Sequence, residues 1–250
     1  MPRPLFLCVY VASATLLIGG CRGGADAELP GIDDLLAGLM PETPAQVARD
    51  LFNMHDADRR RRAINLLSTA PFGGEPPYVK AYRELVTDPD RTVRAACLRA
   101  LGNHGAVEDV PRITPYLEDR DRFVRAEAAR ALQRLHHPDA IAPLTRALDE
   151  DPEPSVRMAC ADALGQYPTR PVFLALVAAL DDPDYAVAKR SRAALFTLTG
   201  ADHGTDAGRW TAWAENRSEL FDGRRPYRFP TFTNPLTTVR TVGSPAPAAP

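Results

Sequence analysis

The residues that could do chemistry in this sequence are five histidines, four cysteines and an arginine that recurs beside aspartate. A metal centre needs converging His, Cys or carboxylate ligands, commonly two on one helix face or a closely spaced cysteine pair. The histidines do not offer this, since His55 precedes Asp56, His104 precedes Gly105, His137 precedes Pro138 and His203 precedes Gly204. Asp202, His203 and Asp206 are near enough in sequence to meet one ion, but a turn that caps a following helix accounts for all three. No glycine-rich phosphate loop, nucleophile elbow or CxxC pair is present. No catalytic residue, metal site or cofactor is therefore expected, and the chain reads as a non-enzyme.

The recurring arginines are Arg94, Arg125 and Arg157, each placed after a valine and an acidic turn in DPDRTVR, DRDRFVR and DPEPSVR. A guanidinium and a carboxylate that return at one period can pair between neighbouring units, so these three arginines are expected to form a structural ladder. A fourth copy, DPDYAVA, carries Ala188 in place of the arginine. The valines Val93, Val124, Val156 and Val187 are 31, 32 and 31 residues apart, a period that marks a solenoid. Four residues after each valine stands a small residue (Cys97, Ala128, Cys160, Ser191), with alanine at the seventh place and leucine at the eighth. Those positions form one helical stripe, small in the middle and bulky at its ends, suited to close packing of helices. Each such helix is preceded by another with a weaker apolar pattern, PPYVKAYRELV, EDVPRITPYLE, PDAIAPLTRAL and RPVFLALVAAL. The extra residue of the second interval is expected in the turn DEDPEPS, where it leaves the stripe in register.

The pattern D-x-x-V-R-x-x-A-x-x-A-L resembles HEAT repeats, in particular the short bacterial kind named after phycobilisome lyases, and covers about residues 76–199. The resemblance implies an all-α solenoid, a superhelix of stacked helix pairs that works as a scaffold for protein–protein interaction. Deoxyhypusine hydroxylase, an enzyme built from the same repeat, is recognised by His-Glu pairs, which this sequence lacks. A phycobilin-lyase-like activity is a rival reading, and an envelope assembly or quality-control factor is another. Arg91, Arg99, Arg122 and Arg130 are the outward candidates for partner contact, and Arg59, Arg60, Arg61 and Arg62 read as the solvated face of a cap helix.

Ahead of the repeats, residues 1–20 carry Arg3 and then the uncharged apolar run LFLCVYVASATLLI, a length that suits a secretory leader rather than a bilayer span. The run ends in Ile18-Gly19-Gly20-Cys21, which resembles the bacterial lipobox. That resemblance implies cleavage between Gly20 and Cys21, lipidation of Cys21 and an anchor in a bacterial membrane on the extracytoplasmic side. Ordinary cleavage after Ala25-Asp26-Ala27, giving a secreted protein, is the alternative. The remaining divisions are a tether at 21–31, a degenerate N-terminal cap repeat at 32–70, HEAT-like repeats at 71–199, a C-terminal cap helix at 200–221 and a Pro-rich tail, extended or disordered, at 222–250. A net charge of -2 supplies no general attraction for nucleic acid. A protein partner, the membrane through Cys21 and a monomeric state are expected. Cys97 and Cys160 sit in non-adjacent repeats, too far apart for a disulfide, and read as small core residues.

Overall fold

The structure, a computed structural model, describes residues 44–215 and 217–228. Gly20, Cys21, the leader, the tether, the opening of the cap repeat and residues from 229 onward lie outside the described residues. Eleven α-helices follow one another among the described residues: α1 Pro44–Leu51, α2 Ala57–Thr69, α3 Pro76–Leu85, α4 Arg91–His104, α5 Val110–Ile113, α6 Arg122–Leu135, α7 Ile141–Glu150, α8 Pro154–Leu164, α9 Arg170–Ala178, α10 Tyr185–Thr199 and α11 Ala207–Glu215. The second helices of the pairs stack in order, α2 on α4, α4 on α6, α6 on α8 and α8 on α10, while α1, α3, α5, α7 and α9 each pack on their own partner. This is the all-α, two-layer solenoid that the period implies.

The stripe explains the stacking. Val93, Val124, Val156 and Val187 are fully buried, as are Leu101, Leu132, Leu164 and Leu195. Between them the small residues let the backbones close up: a Cβ on Gly102 would lie 2.9 Å from the Cα of Ala131, and one on Gly165 would lie 3.0 Å from the Cβ of Ala194. Cys97 and Cys160 are free and buried, and burial pushes both thiols well above the usual range, so they stay protonated and inert.

The first helices are less regular, and proline is the reason. In the third pair Pro111 and Pro115 remove two backbone donors, and the segment breaks into a 3-10 turn at Val107–Asp109, the single turn α5 and a second 3-10 stretch at Thr114–Glu118. The extra residue of the second interval falls in DEDPEPS as expected, at its first two positions, Asp149 and Glu150, which are helical. From Leu148 to Asp151 the chain stays α-helical through Glu150, whereas the units ending at Glu118 and Asp181 close in 3-10 geometry. Four α-helical residues and three 3-10 residues both rise about 6 Å, so tightening or relaxing the last turn absorbs one residue without moving the next stripe.

The C-terminal end is closed by α11. Trp210 is fully buried, donates from Nε1 to the Gly204 carbonyl at 2.9 Å and packs edge-on against His203, with ring centroids 4.9 Å apart. Gly200 ends α10 in the left-handed region (φ 72°), where a side chain would also strike the Gly223 carbonyl at 2.3 Å. The tail begins with a turn, the Arg224 amide donating to the Phe221 carbonyl at 3.1 Å, and it is pinned: the Arg225 amide donates to the Thr197 carbonyl at 2.8 Å.

One stripe position is mismatched. The Ser191 hydroxyl is buried with no hydrogen-bond partner among the described residues, where the equivalent place in another repeat holds Ala128. A buried, unsatisfied hydroxyl destabilises, so Ser191→Ala is expected to raise stability by about 1 kcal/mol, read as a higher urea midpoint at unchanged slope.

Candidate functional site

Two sets of polar residues had to be placed by the fold: the ladder arginines and the outward arginines. The ladder forms at the acidic turns. The first carboxylate of each turn folds back onto its own backbone, with Asp88 accepting from the Asp90 amide at 2.8 Å, Asp119 from Asp121 at 2.8 Å, Asp151 from Glu153 at 2.9 Å and Asp182 from Asp184 at 2.8 Å. The same carboxylate takes a two-pronged guanidinium from the preceding unit. Arg94 reaches Asp119 at 2.9 and 3.0 Å, Arg125 reaches Asp151 at 2.6 and 2.9 Å, and Arg157 reaches Asp182 at 2.7 and 2.9 Å. The remaining guanidinium nitrogen donates to a carbonyl of its own turn, that of Asp88, Asp119 or Asp151. Each arginine thus ties two consecutive turns. The second carboxylates Asp90, Asp121 and Asp184 cap the helices that follow.

A fourth rung was not read from the sequence. Arg60 is buried and donates to Asp88 at 2.8 and 3.0 Å and to the Asn53 carbonyl at 2.6 Å. The reading of Arg59–Arg62 as one solvated face is therefore corrected at Arg60, because consecutive helical residues point in different directions and this one points at the next turn. Its signal was present, since Arg60 follows the position that valine occupies elsewhere. The Arg157 guanidinium beside Asp182 holds its carboxyl below the usual range. A parallel pair joins the first layer: Arg83 donates to buried Asp109 at 2.6 and 2.8 Å. Burial alone would raise the Asp109 carboxyl, but Arg83 and the Ala106 amide outweigh it and hold it low.

The outward arginines lie on the face formed by the second helices, and each makes an ion pair there. Arg91 meets Asp121 at 2.8 Å, Arg99 meets Glu127 at 3.2 Å, Arg122 meets Glu153 at 3.2 Å and Arg130 meets Glu127 at 2.9 Å. Three of them, Arg91, Arg99 and Arg130, converge with Arg61 on one open groove of about 320 Å³ between α2, α4 and α6. Asp121 and Glu127 are its only acids among the lining residues and pair with Arg91, Arg99 and Arg130, while Arg61 is paired with Asp58 at 2.9 Å beside the groove. Phe123 stands at its edge with 58% of its surface exposed, and the Arg122 guanidinium lies 5.0 Å from its ring centre. Phe123 and Glu127 were not singled out in the sequence, and Arg61 was read there only as part of the solvated cap face. Phe123 could have been, because the residue before the stripe valine is threonine, serine or alanine in the other repeats.

No cluster of potential metal ligands occurs among the described residues. Asp202 is engaged by Arg192 at 2.8 and 2.5 Å and by the Gly204 amide, and these hold its carboxyl down at about 2. Asp206 accepts from the Arg209 amide at the start of α11.

A family model described as HEAT repeats matches residues 45–133 and 110–195, which together span more than half of the 250 residues. The chain belongs to the HEAT-repeat family. Among solved structures this HEAT-repeat chain is similar to a designed armadillo repeat protein at 18% identity and a TM-score of 0.50, over 73% of this chain and 95% of the other. A second designed armadillo repeat protein, solved in complex with the peptide (KR)4, matches at 20% identity and 0.50 over 71% and 92%. Both likenesses concern the fold. No curated protein matches the HEAT-repeat chain.

Two outcomes follow for the ladder. Arg125→Ala leaves the Asp151 carboxylate buried and unpaired, and a loss of about 3–5 kcal/mol in chemical denaturation is expected. Because the folded-state value of Asp182 is depressed, its contribution is complete above the ordinary aspartate value near 4 and is lost as pH falls through the lower folded value. Asp182→Asn should therefore flatten the acid limb of a stability–pH curve while lowering stability near neutrality.

Proposed function

We propose that this HEAT-repeat chain is a membrane-tethered extracytoplasmic scaffold whose second-helix face binds an acidic segment of a protein partner. The groove carries the reading. Three arginines that share two carboxylates, with Arg61 on Asp58 beside them, present guanidinium donors to an incoming carboxylate, and exposed Phe123 offers an apolar anchor there. A designed repeat protein of similar fold is described in complex with the basic peptide (KR)4. The same mode with the charges exchanged suits the arginine-rich groove here. Neighbouring positions on a solenoid recur at fixed spacing, so an extended segment can meet several units at once. Selectivity then belongs to the residues that break the repeat, Phe123 first among them.

Support for the tether is the leader itself, an uncharged run closing in Ile18-Gly19-Gly20-Cys21. A diacylated and acylated Cys21 carries more than the single chain that binds a membrane only marginally. The short polar stretch after it would keep the repeats within reach of that surface.

A glutamate-rich peptide with one aromatic residue is the probe for the groove. Its affinity should fall by about tenfold or more in a chain with Arg91, Arg99, Arg130 and Phe123 changed to Ala, and should weaken with added salt in the wild type. Equal binding by both chains refutes the groove. Metabolic acyl labelling tests the anchor separately: Cys21→Ser should abolish the label and release the protein from the membrane fraction, whereas a label that persists removes the lipid from the proposal.

A further inference from the structure

The groove lies toward one end of the second-helix face, and the other end is already covered. Residues 224–227 run across the C-terminal ends of three consecutive second helices. The Arg224 guanidinium donates to the Gln166 carbonyl at 3.2 Å, just beyond α8. The Arg225 amide donates to the Thr197 carbonyl in the last turn of α10, and its guanidinium lies over the Phe196 ring at 4.1 Å. The Tyr227 hydroxyl donates to the Asp162 carbonyl in the last turn of α8 at 2.5 Å and accepts from the Gln133 amide on α6.

The contacts to the carbonyls of α8 and α10 share one chemistry. The last carbonyls of a helix have no intrahelical partner and carry the negative end of its dipole, so they attract cations and N–H or O–H donors. Arg224 and Tyr227 both donate to the end of α8, and Arg225 donates to the end of α10. Pro226, between Arg225 and Tyr227, has no amide that would need a partner. We propose that the carbonyl ends of α8 and α10, with the Gln133 side-chain amide of α6 beside them, form a docking surface for an arginine–aromatic segment of the Arg-Arg-x-Tyr kind, and that the chain's own Arg224–Tyr227 occupies it as a displaceable ligand. The surface shares no residue with the arginine-lined groove, so the two stand or fall separately. A partner that spans both would present an acidic part to the groove and a basic–aromatic part here, and would have to lift the chain's own segment first.

The test uses the full chain and a fluorescent synthetic peptide of residues 222–229, followed by anisotropy. A chain carrying Arg224→Ala and Tyr227→Ala vacates the surface and should bind the peptide at least about tenfold more tightly than the wild type, whose surface is filled. A peptide with the same two residues changed to Ala should not bind the variant. Equal affinity for the variant and wild-type chains, or no binding to a variant of unchanged helicity, overturns the proposal. Should the variant lose helicity, the wild type decides alone. Excess free peptide should speed hydrogen exchange at the Arg225 amide by displacing it, and an unchanged exchange rate refutes displacement.

Discussion

The fold hangs on a buried guanidinium–carboxylate pair made four times. Hydrophobic stacking of the second helices drives the units together, but apolar contact is non-directional and would tolerate a slip of one helix along another. The pair between Arg94 and Asp119, and its equivalents, does not tolerate a slip, because both prongs and the third nitrogen are satisfied at one relative position only. Removing either partner would strand a charge inside the protein, which costs more than the pair itself contributes. The ion pairs therefore act on register more than on net stability. The groove depends on that register, since Arg61, Arg91 and Arg130 come from three different helices.

The division of labour between layers follows from the same constraint. The second helices must lie close for the rungs to reach, and this requires the alanines, cysteines and glycines of the stripe. The first helices cover the remaining apolar surface and are free to vary, which is why one of them breaks at Pro111 and Pro115 with no consequence for the rung at Asp119. The acidic turn links the layers, with one carboxylate facing back to the previous unit and the other capping the helix ahead.

Much of this was legible in the sequence because it repeats. The stripe, the turn and the ladder arginines each recur at the same interval, and a recurring position reports its own environment. Three features were not legible, for different physical reasons. Arg60 was hidden in a run of four arginines, where composition masks the one side chain that points inward. The extra residue fell in the expected stretch, but that it would be helical was not legible, because α and 3-10 turns cover the same rise with different residue numbers. The ordered start of the tail was missed because its partners are backbone carbonyls at helix ends, and a carbonyl leaves no mark on the sequence. Phe123 illustrates the converse, a residue visible only as an exception to the repeat.

The rungs also give the stack a valence. Each internal unit offers one acceptor and one donor: Asp88 with Arg94, Asp119 with Arg125, Asp151 with Arg157. Among the described residues the first and last units are monovalent. At the first turn Asn53 stands where the aspartate would be, keeping the fold-back hydrogen bonds to the His55 and Asp56 amides without the charge. In the last unit Asp182 accepts but Ala188 cannot donate. A duplicated internal unit thus inserts with every charge matched, whereas a unit added after Ala188 would bring an aspartate with no guanidinium to meet it. Such a chain can lengthen from within, whereas Asn53 and Ala188 each leave one side of their unit without a charged rung.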